Sequence, residues 1–232
     1  MKASLLALAL VATAFTAPAQ QKAPAQSAPA AAAPASYADL LAGTVRELMS
    51  TGEVARLREV HGKLERAAAV NPTDWLPRYY QAYALMLITF QSKEDGDVKD
   101  KYLDQAEAAL AQARKLRGDE SELLVLQAYL HQARLGIAPM TRSMKYSQLV
   151  SQTLEQARKL NPANPRIYLV QANNVYYTPK MFGGGAEAAK PLYEEAKTRF
   201  AAARPASATA PAWGERQVLS RLAAYTQTAT AK

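Results

Sequence analysis

Cysteine is missing from this 232-residue chain, histidine occurs twice and phenylalanine four times. The absence of thiols excludes disulfide frameworks, thiolate nucleophiles and a lipidated N-terminal cysteine. Carboxylates are also scarce, with 20 Asp and Glu against 28 Lys and Arg for a formal charge of +8. No stretch reaches the ~18 to 20 apolar residues that a bilayer-spanning helix needs, so no transmembrane segment is expected. Stability must therefore come from a packed core, and the 49% of hydrophobic residues can supply one.

The chain opens MKASLLALALVATAFTAPAQ, in which Lys2 precedes an apolar run from Leu5 to about Ala17 and the small-residue site Ala17, Pro18, Ala19. This is the layout of a secretory signal peptide. Cleavage is expected after Ala19, with Ala17 as the next site, which makes the protein periplasmic or secreted. Residues 20–36 are an Ala/Pro-rich linker without a periodic apolar face. Residues 37–232 then read as one domain. For an exported basic chain nucleic acid is not the expected partner. An acidic envelope component such as phosphorylated lipid or anionic glycan is one reading, and a solvated surface with no such partner is the other.

Three segments align without gaps: LERAAAVNPTDWLPRYYQAY from Leu64, LAQARKLRGDESELLVLQAY from Leu110 and LEQARKLNPANPRIYLVQAN from Leu154. A fourth, partial copy places Phe200 at the leucine position. In each copy a large residue sits between smaller ones on one helical face, as with Ala106, Leu110, Ala113 and with Val150, Leu154, Ala157. Asn71-Pro72 and Asn161-Pro162 end a helix, because a residue before proline is pushed out of the α region. At Arg117-Gly118 a left-handed C-cap is expected instead. Asp119 and Asn164 suit the N-cap of the following helix.

These residues resemble the tetratricopeptide repeat family: Ala67, Pro72, Ala82; Ala113, Gly118, Ala128; and Ala157, Pro162, Ala172 fall at its small-residue and proline positions. The likeness spans about Val54 to Phe200. Each copy is about ten to twelve residues longer than the family unit, and Arg78, Leu124 and Tyr168 stand at its tryptophan position. The chain is also similar to exported tetratricopeptide-like proteins with Asn-Pro, Phe-Gly-Gly-Gly and Pro-x-Trp-Gly elements, here Asn161-Pro162, Phe182 to Gly185 and Pro211 to Gly214. The expected fold is all-α, a helical-hairpin repeat solenoid of about four hairpins and a C-terminal capping helix. The helices are expected near 38–49, 53–69, 74–91, 98–116, 120–136, 142–160, 165–177, 186–203 and 212–227. The extra length falls between the two helices of each pair.

Catalytic and metal-binding patterns are thin. The triple glycine Gly183 to Gly185 lacks the Gly-Lys-Ser/Thr that a phosphate-binding loop requires. It reads as a corner between paired helices, or as a helix N-terminus with weak anion affinity. His61 and His131 are expected to be structural, without partners for metal or general-base work. Residues 93–97 lack the ligand order of a calcium loop. Ser143 and Lys145, two apart on a helix, diverge, as do the adjacent Glu194 and Glu195. No catalytic residue, metal site or cofactor is expected, and the protein is read as a non-enzyme.

The resemblance implies that the first helix of each pair lines a concave surface, which places Tyr79, Tyr83, Tyr129, Asn173, Tyr176 and Tyr177 toward a groove. Ordinary helix packing is the alternative for these rings, since tyrosine serves either role. Lys180, Met181 and Phe182, in the loop before the glycines, complete the candidate partner-binding set. The leading functional reading is an exported, non-catalytic scaffold for a protein or peptide; the other is an envelope binding module for a small anionic or glycan ligand. Intact mass of exported material checks the leader: the expected chain begins at Gln20, and soluble envelope protein retaining Met1 to Ala19 would overturn the export reading.

Overall fold

The computed structural model describes residues 36–230, with the side chains of 228–230 excepted. The expected signal peptide and nearly all of the linker lie outside the described residues. From Ala35 onward the chain is one compact unit. Its helices are α1 (Tyr37–Ser50), α2 (Val54–Val70), α3 (Leu76–Gln91), α4 (Gly96–Lys115), α5 (Glu120–Ile137), α6 (Pro139–Leu160), α7 (Pro165–Tyr177), α8 (Ala186–Ala202) and α9 (Glu215–Thr230), with a 3₁₀ turn at Lys180–Phe182. No strand occurs among the described residues.

Local chemistry sets most of the boundaries. Ser36 and Asp39 form a reciprocal capping box at the start of α1, while Asp95 and Asp119 accept hydrogen bonds from the amides of Val98 and Glu122. Asn164 accepts from the amide of Arg166 and is followed by Pro165 in the first turn. Each device satisfies an amide that the helix itself leaves unpaired. Asn71 and Asn161 are the C-caps of α2 and α6, as their prolines require.

The turn between α4 and α5 differs in one respect from expectation. Its left-handed residue is Arg117, at φ 59°, while Gly118 follows it. The Gly118 amide donates to the Ala113 carbonyl at 3.1 Å and the Arg117 amide to that of Arg114 at 3.0 Å. These are the paired bonds of a Schellman ending, and they hold Arg117 in a conformation that ordinarily selects glycine or asparagine.

Consecutive helices pair as hairpins, α1 with α2, α3 with α4, α5 with α6 and α7 with α8. The first helices also pack side by side, α1 on α3, α3 on α5 and α5 on α7, while each second helix packs on the next hairpin. The repeat positions form the core: Val60, Leu64, Ala106, Leu110, Ala113, Val150, Leu154, Ala157, Ala196 and Phe200 are all buried. Two positions depart from the alignment. Ala67 is half-buried while its neighbour Ala68 is buried, and Ala203 is the C-cap of α8 rather than a helical residue.

Much of the extra length of the repeats is helix. At 20 and 22 residues α4 and α6 are long, and α6 begins one residue after α5 ends. The fourth hairpin keeps the longest connection among the described residues, Thr178 to Gly185. Where α4, α5 and α6 meet, Arg134 reaches Asp100 at 3.1 Å, Asp104 at 2.6 Å and Glu107 at 3.0 Å, and Arg142 reaches Asp100 at 2.6 Å. The hydrogen bond from Arg142, with the charge of both guanidiniums, holds the Asp100 carboxyl below its ordinary range.

Helix α9 is not only an end cap over the last hairpin. It packs on α8, but its residues and those before it also cross the first helices: Tyr80 donates to the Thr209 carbonyl at 2.9 Å and Arg216 to that of Met49 at 3.0 Å.

The small residues of the second helices test the packing register. Ala113 and Ala157 are wholly buried, so Ala113→Leu or Ala157→Leu is expected to cost about 1 to 3 kcal/mol in chemical denaturation through overpacking. Leucine is a good helix former, so unchanged stability in both variants would mean that these alanines do not face a neighbour.

Candidate functional site

The tyrosines assigned to a groove fall into two groups. Tyr79, Tyr83, Tyr129 and Asn173 lie on the inner sides of α3, α5 and α7, and all four are buried. What covers them is the chain's own C-terminal segment. The Trp213 ring stacks on Tyr83 at 5.0 Å and on Tyr129 at 5.7 Å, and its indole Nε1–H donates to the Tyr79 hydroxyl at 2.7 Å. Gln217 of α9 hydrogen-bonds the Tyr129 hydroxyl at 3.2 Å. Asn173 accepts from the Tyr193 hydroxyl of α8 at 2.8 Å. Burial pushes the phenols of Tyr79, Tyr83 and Tyr129 up, so they remain neutral donors and acceptors.

Gly214 explains how the backbone turns after the tryptophan. Its φ is 108°, and a Cβ there would meet Leu169 Cδ2 at 2.7 Å and Phe200 Cζ at 2.9 Å. Only glycine fits both the dihedral and the space.

Beneath Trp213 lies a buried charge pair that the sequence analysis did not single out. The Glu122 carboxylate accepts from Arg166 Nε at 2.8 Å, from Asn164 Nδ2 at 2.8 Å and from the Tyr79 hydroxyl at 3.2 Å, and it also pairs with the terminal nitrogen of Arg166. The Arg166 guanidinium lies 5.7 Å from the Trp213 ring. The repeat alignment had only the flanking residues Asp119 and Asn164 as caps. Nothing local marks Glu122 and Arg166 as partners.

The second group is accessible. Tyr176 is half-buried and Tyr177 exposed at the end of α7. Arg221 of α9 places its guanidinium 4.4 Å from the Tyr176 ring centroid and 5.9 Å from that of Tyr177, and donates to the Tyr177 hydroxyl at 3.1 Å. Among the described residues no carboxylate pairs with Arg221: its contacts are with aromatic rings and a phenol. The two rings meet edge to face at 5.0 Å. An arginine held by π faces and lacking a counter-ion keeps donors for an incoming anion.

Lys180, Met181 and Phe182 form the 3₁₀ turn that follows, and all three are exposed. The glycines behind them make a corner. A Cβ on Gly184 would lie 2.3 Å from the Thr178 carbonyl, Gly185 has φ 100°, and its amide donates to Val175 at 2.9 Å. The corner displays Met181 and Phe182 rather than packing them.

His61 and His131 are half-buried, and burial lowers both from the ordinary imidazole range. Contrary to expectation His61 does have a carboxylate neighbour, Glu65 one helical turn on, with Nδ1 3.8 Å from its oxygen. That contact, longer than a hydrogen bond, neither forms a metal site nor activates a base. Among the described residues no group of three His, Cys, Asp or Glu could hold a metal ion. Ser143 is exposed and hydrogen-bonds neither Lys145 nor a base, and Glu194 and Glu195 pair separately with Lys190 and Arg199.

No protein-family model matches the chain, and no curated protein matches it. Among solved structures it is similar to the HusA haemophore from Porphyromonas gingivalis, with a TM-score of 0.72 and 35% identity over 81% of this chain and 91% of that one. The chain belongs to the HusA family. HusA is a haemophore, a binding protein rather than an enzyme. The helical hairpins are seen in the fold, whereas the tetratricopeptide likeness rests on the residues alone.

Closure by Trp213 can be measured. Trp213→Phe keeps a stacked ring but loses the donor to Tyr79, and is expected to cost about 1 kcal/mol. Trp213→Ala empties a site between two tyrosines, for about 3 to 5 kcal/mol. Urea melts of both variants decide it; an alanine variant as stable as the parent would show that the segment is not held by this ring.

Proposed function

We propose that this chain is an exported, non-catalytic carrier whose ligand is a haem-like planar tetrapyrrole, held against the Tyr176, Tyr177 and Arg221 corner. The observation that carries the reading is Arg221, fixed by two aromatic rings and free of any carboxylate. A tetrapyrrole with carboxylate side chains presents what that corner lacks, a flat apolar face for Tyr177 and an anion for Arg221. Membership in the HusA family supports the ligand class, since HusA is a haemophore.

This reading keeps the binding function expected from the sequence and takes the small anionic ligand rather than the peptide. A peptide laid along the inner face would have to displace Trp213 and its contacts with Tyr79, Tyr83 and Tyr129. The signal sequence supports delivery of the carrier outside the cytoplasm, where such a ligand would be scavenged.

Absorbance titration with haem tests the assignment. The parent protein is expected to give a saturable shift of the main haem band, and the double variant Arg221→Ala, Tyr177→Ala to bind at least about tenfold more weakly, in keeping with a desolvated cation–π and charge-assisted contact. Both side chains lie at the surface, so the melting temperature should change little. A parent that shows no shift overturns the ligand; a double variant that binds as tightly overturns the site.

A further inference from the structure

Charge is distributed unevenly along the chain. From Leu123 to Ala186 there are seven lysines and arginines and a single carboxylate, Glu155. The arginines of this stretch are engaged: Arg134 and Arg142 with α4 carboxylates, Arg158 with Glu155, Arg166 with Glu122. Among the described residues Lys145 and Lys180 make no ion pair; Lys145 lies 5.3 Å from the Tyr146 ring.

The fold brings these two lysines to one edge. Gln132 near the end of α5 donates to the Val170 carbonyl of α7 at 2.6 Å, so the ends of α5 and α7 run alongside, and the connections into α6 and α8 emerge together. The large apolar side chains at these two connections point into solvent: Met140 is 96% exposed, Met144 87%, Met181 82% and Phe182 71%. Neither α6 nor α8 has a side-chain cap at this end, and the first turn of α6 carries no acidic residue, whereas that of α8 carries Glu187. The α3 to α4 connection carries Lys93, Glu94 and Asp95, and the first turn of α4 adds Asp97, so this turn is acidic where the later two carry lysines.

We propose that this edge docks the protein on an anionic phospholipid surface. Met140, Met144, Met181 and Phe182 would enter the headgroup boundary, and Lys145 and Lys180 would face lipid phosphates. Methionine and phenylalanine raised on turns with lysines beside them, and Glu187 in the first turn of α8 as the carboxylate that follows the second turn, match an interface that is apolar below and anionic above. Flexible methionines suit a deformable surface better than a rigid protein partner. The proposal builds on the export reading but not on the ligand, because a vesicle contains no tetrapyrrole.

Vesicle co-sedimentation tests it, using the chain from Gln20 onward, whose helical unit makes its contacts within itself. Binding is expected to vesicles containing phosphatidylglycerol, to be absent with phosphatidylcholine alone, and to weaken with salt. Lys145→Glu is expected to reduce binding by about tenfold or more, given the worth of a lysine at a charged membrane. The pair Met140→Ser, Met144→Ser, and separately the triple Lys180→Ser, Met181→Ser, Phe182→Ser, should also reduce it without lowering the melting temperature. Lys159→Glu, at the far end of α6, is the control for net charge. The proposal is overturned by equal binding to both vesicle types, by serine variants that bind like the parent, or by Lys159→Glu weakening binding as much as Lys145→Glu.

Discussion

A carboxylate shut away from water must find compensation from every direction, and Glu122 is that residue here. Its oxygens are met by Arg166 and Asn164 from the start of α7 and by Tyr79 from α3. Removing one partner of such a buried pair ordinarily costs about 3 to 5 kcal/mol, because the other charge is left stranded. The geometry of three helices is therefore tied to one functional group. Asn164 serves twice, since its oxygen caps α7 through the Arg166 amide while its nitrogen donates to Glu122. The Tyr79 hydroxyl passes the constraint on to Trp213. Through that chain of donors the buried charge also positions the C-terminal segment.

The helices were legible because their determinants are local. Asn-Pro pairs, Asp and Asn caps and the large-small spacing of Leu110 and Leu154 act within a few residues, and the observed ends lie within about three residues of those read from the sequence. Helix α9 begins three residues later than its pattern indicates, at Glu215, because Trp213 and Gly214 are drawn into the inner face. Arg117 adopts the left-handed position beside an available glycine, since the Schellman bonds fix the count of residues in the turn.

The site was legible only in part. Tyr79, Tyr83, Tyr129 and Asn173 do lie on the inner sides of first helices, but the residue that covers three of them is 134 positions away from Tyr79, beyond any periodic signal. The Pro-x-Trp-Gly element was visible, and its target was not. Lys180, Met181 and Phe182 were visible as a loop between helices, and their exposure follows from the three glycines that turn the chain beneath them. Arg221 had no distinguishing neighbours in sequence; its aromatic setting arises only when α9 crosses the end of α7.

The placement of Trp213 also has a consequence in time. A chain made from its N-terminus presents α3, α5 and α7 well before residue 213 follows. Until then the Tyr79, Tyr83 and Tyr129 rings have no cover, and the hairpins stand as an open array with a wet inner wall. Trp213 and Val218, both buried when folded, fasten that wall when they arrive. Closure of the inner wall thus waits on residues 213–218, and the hairpins stay open until those residues have been made.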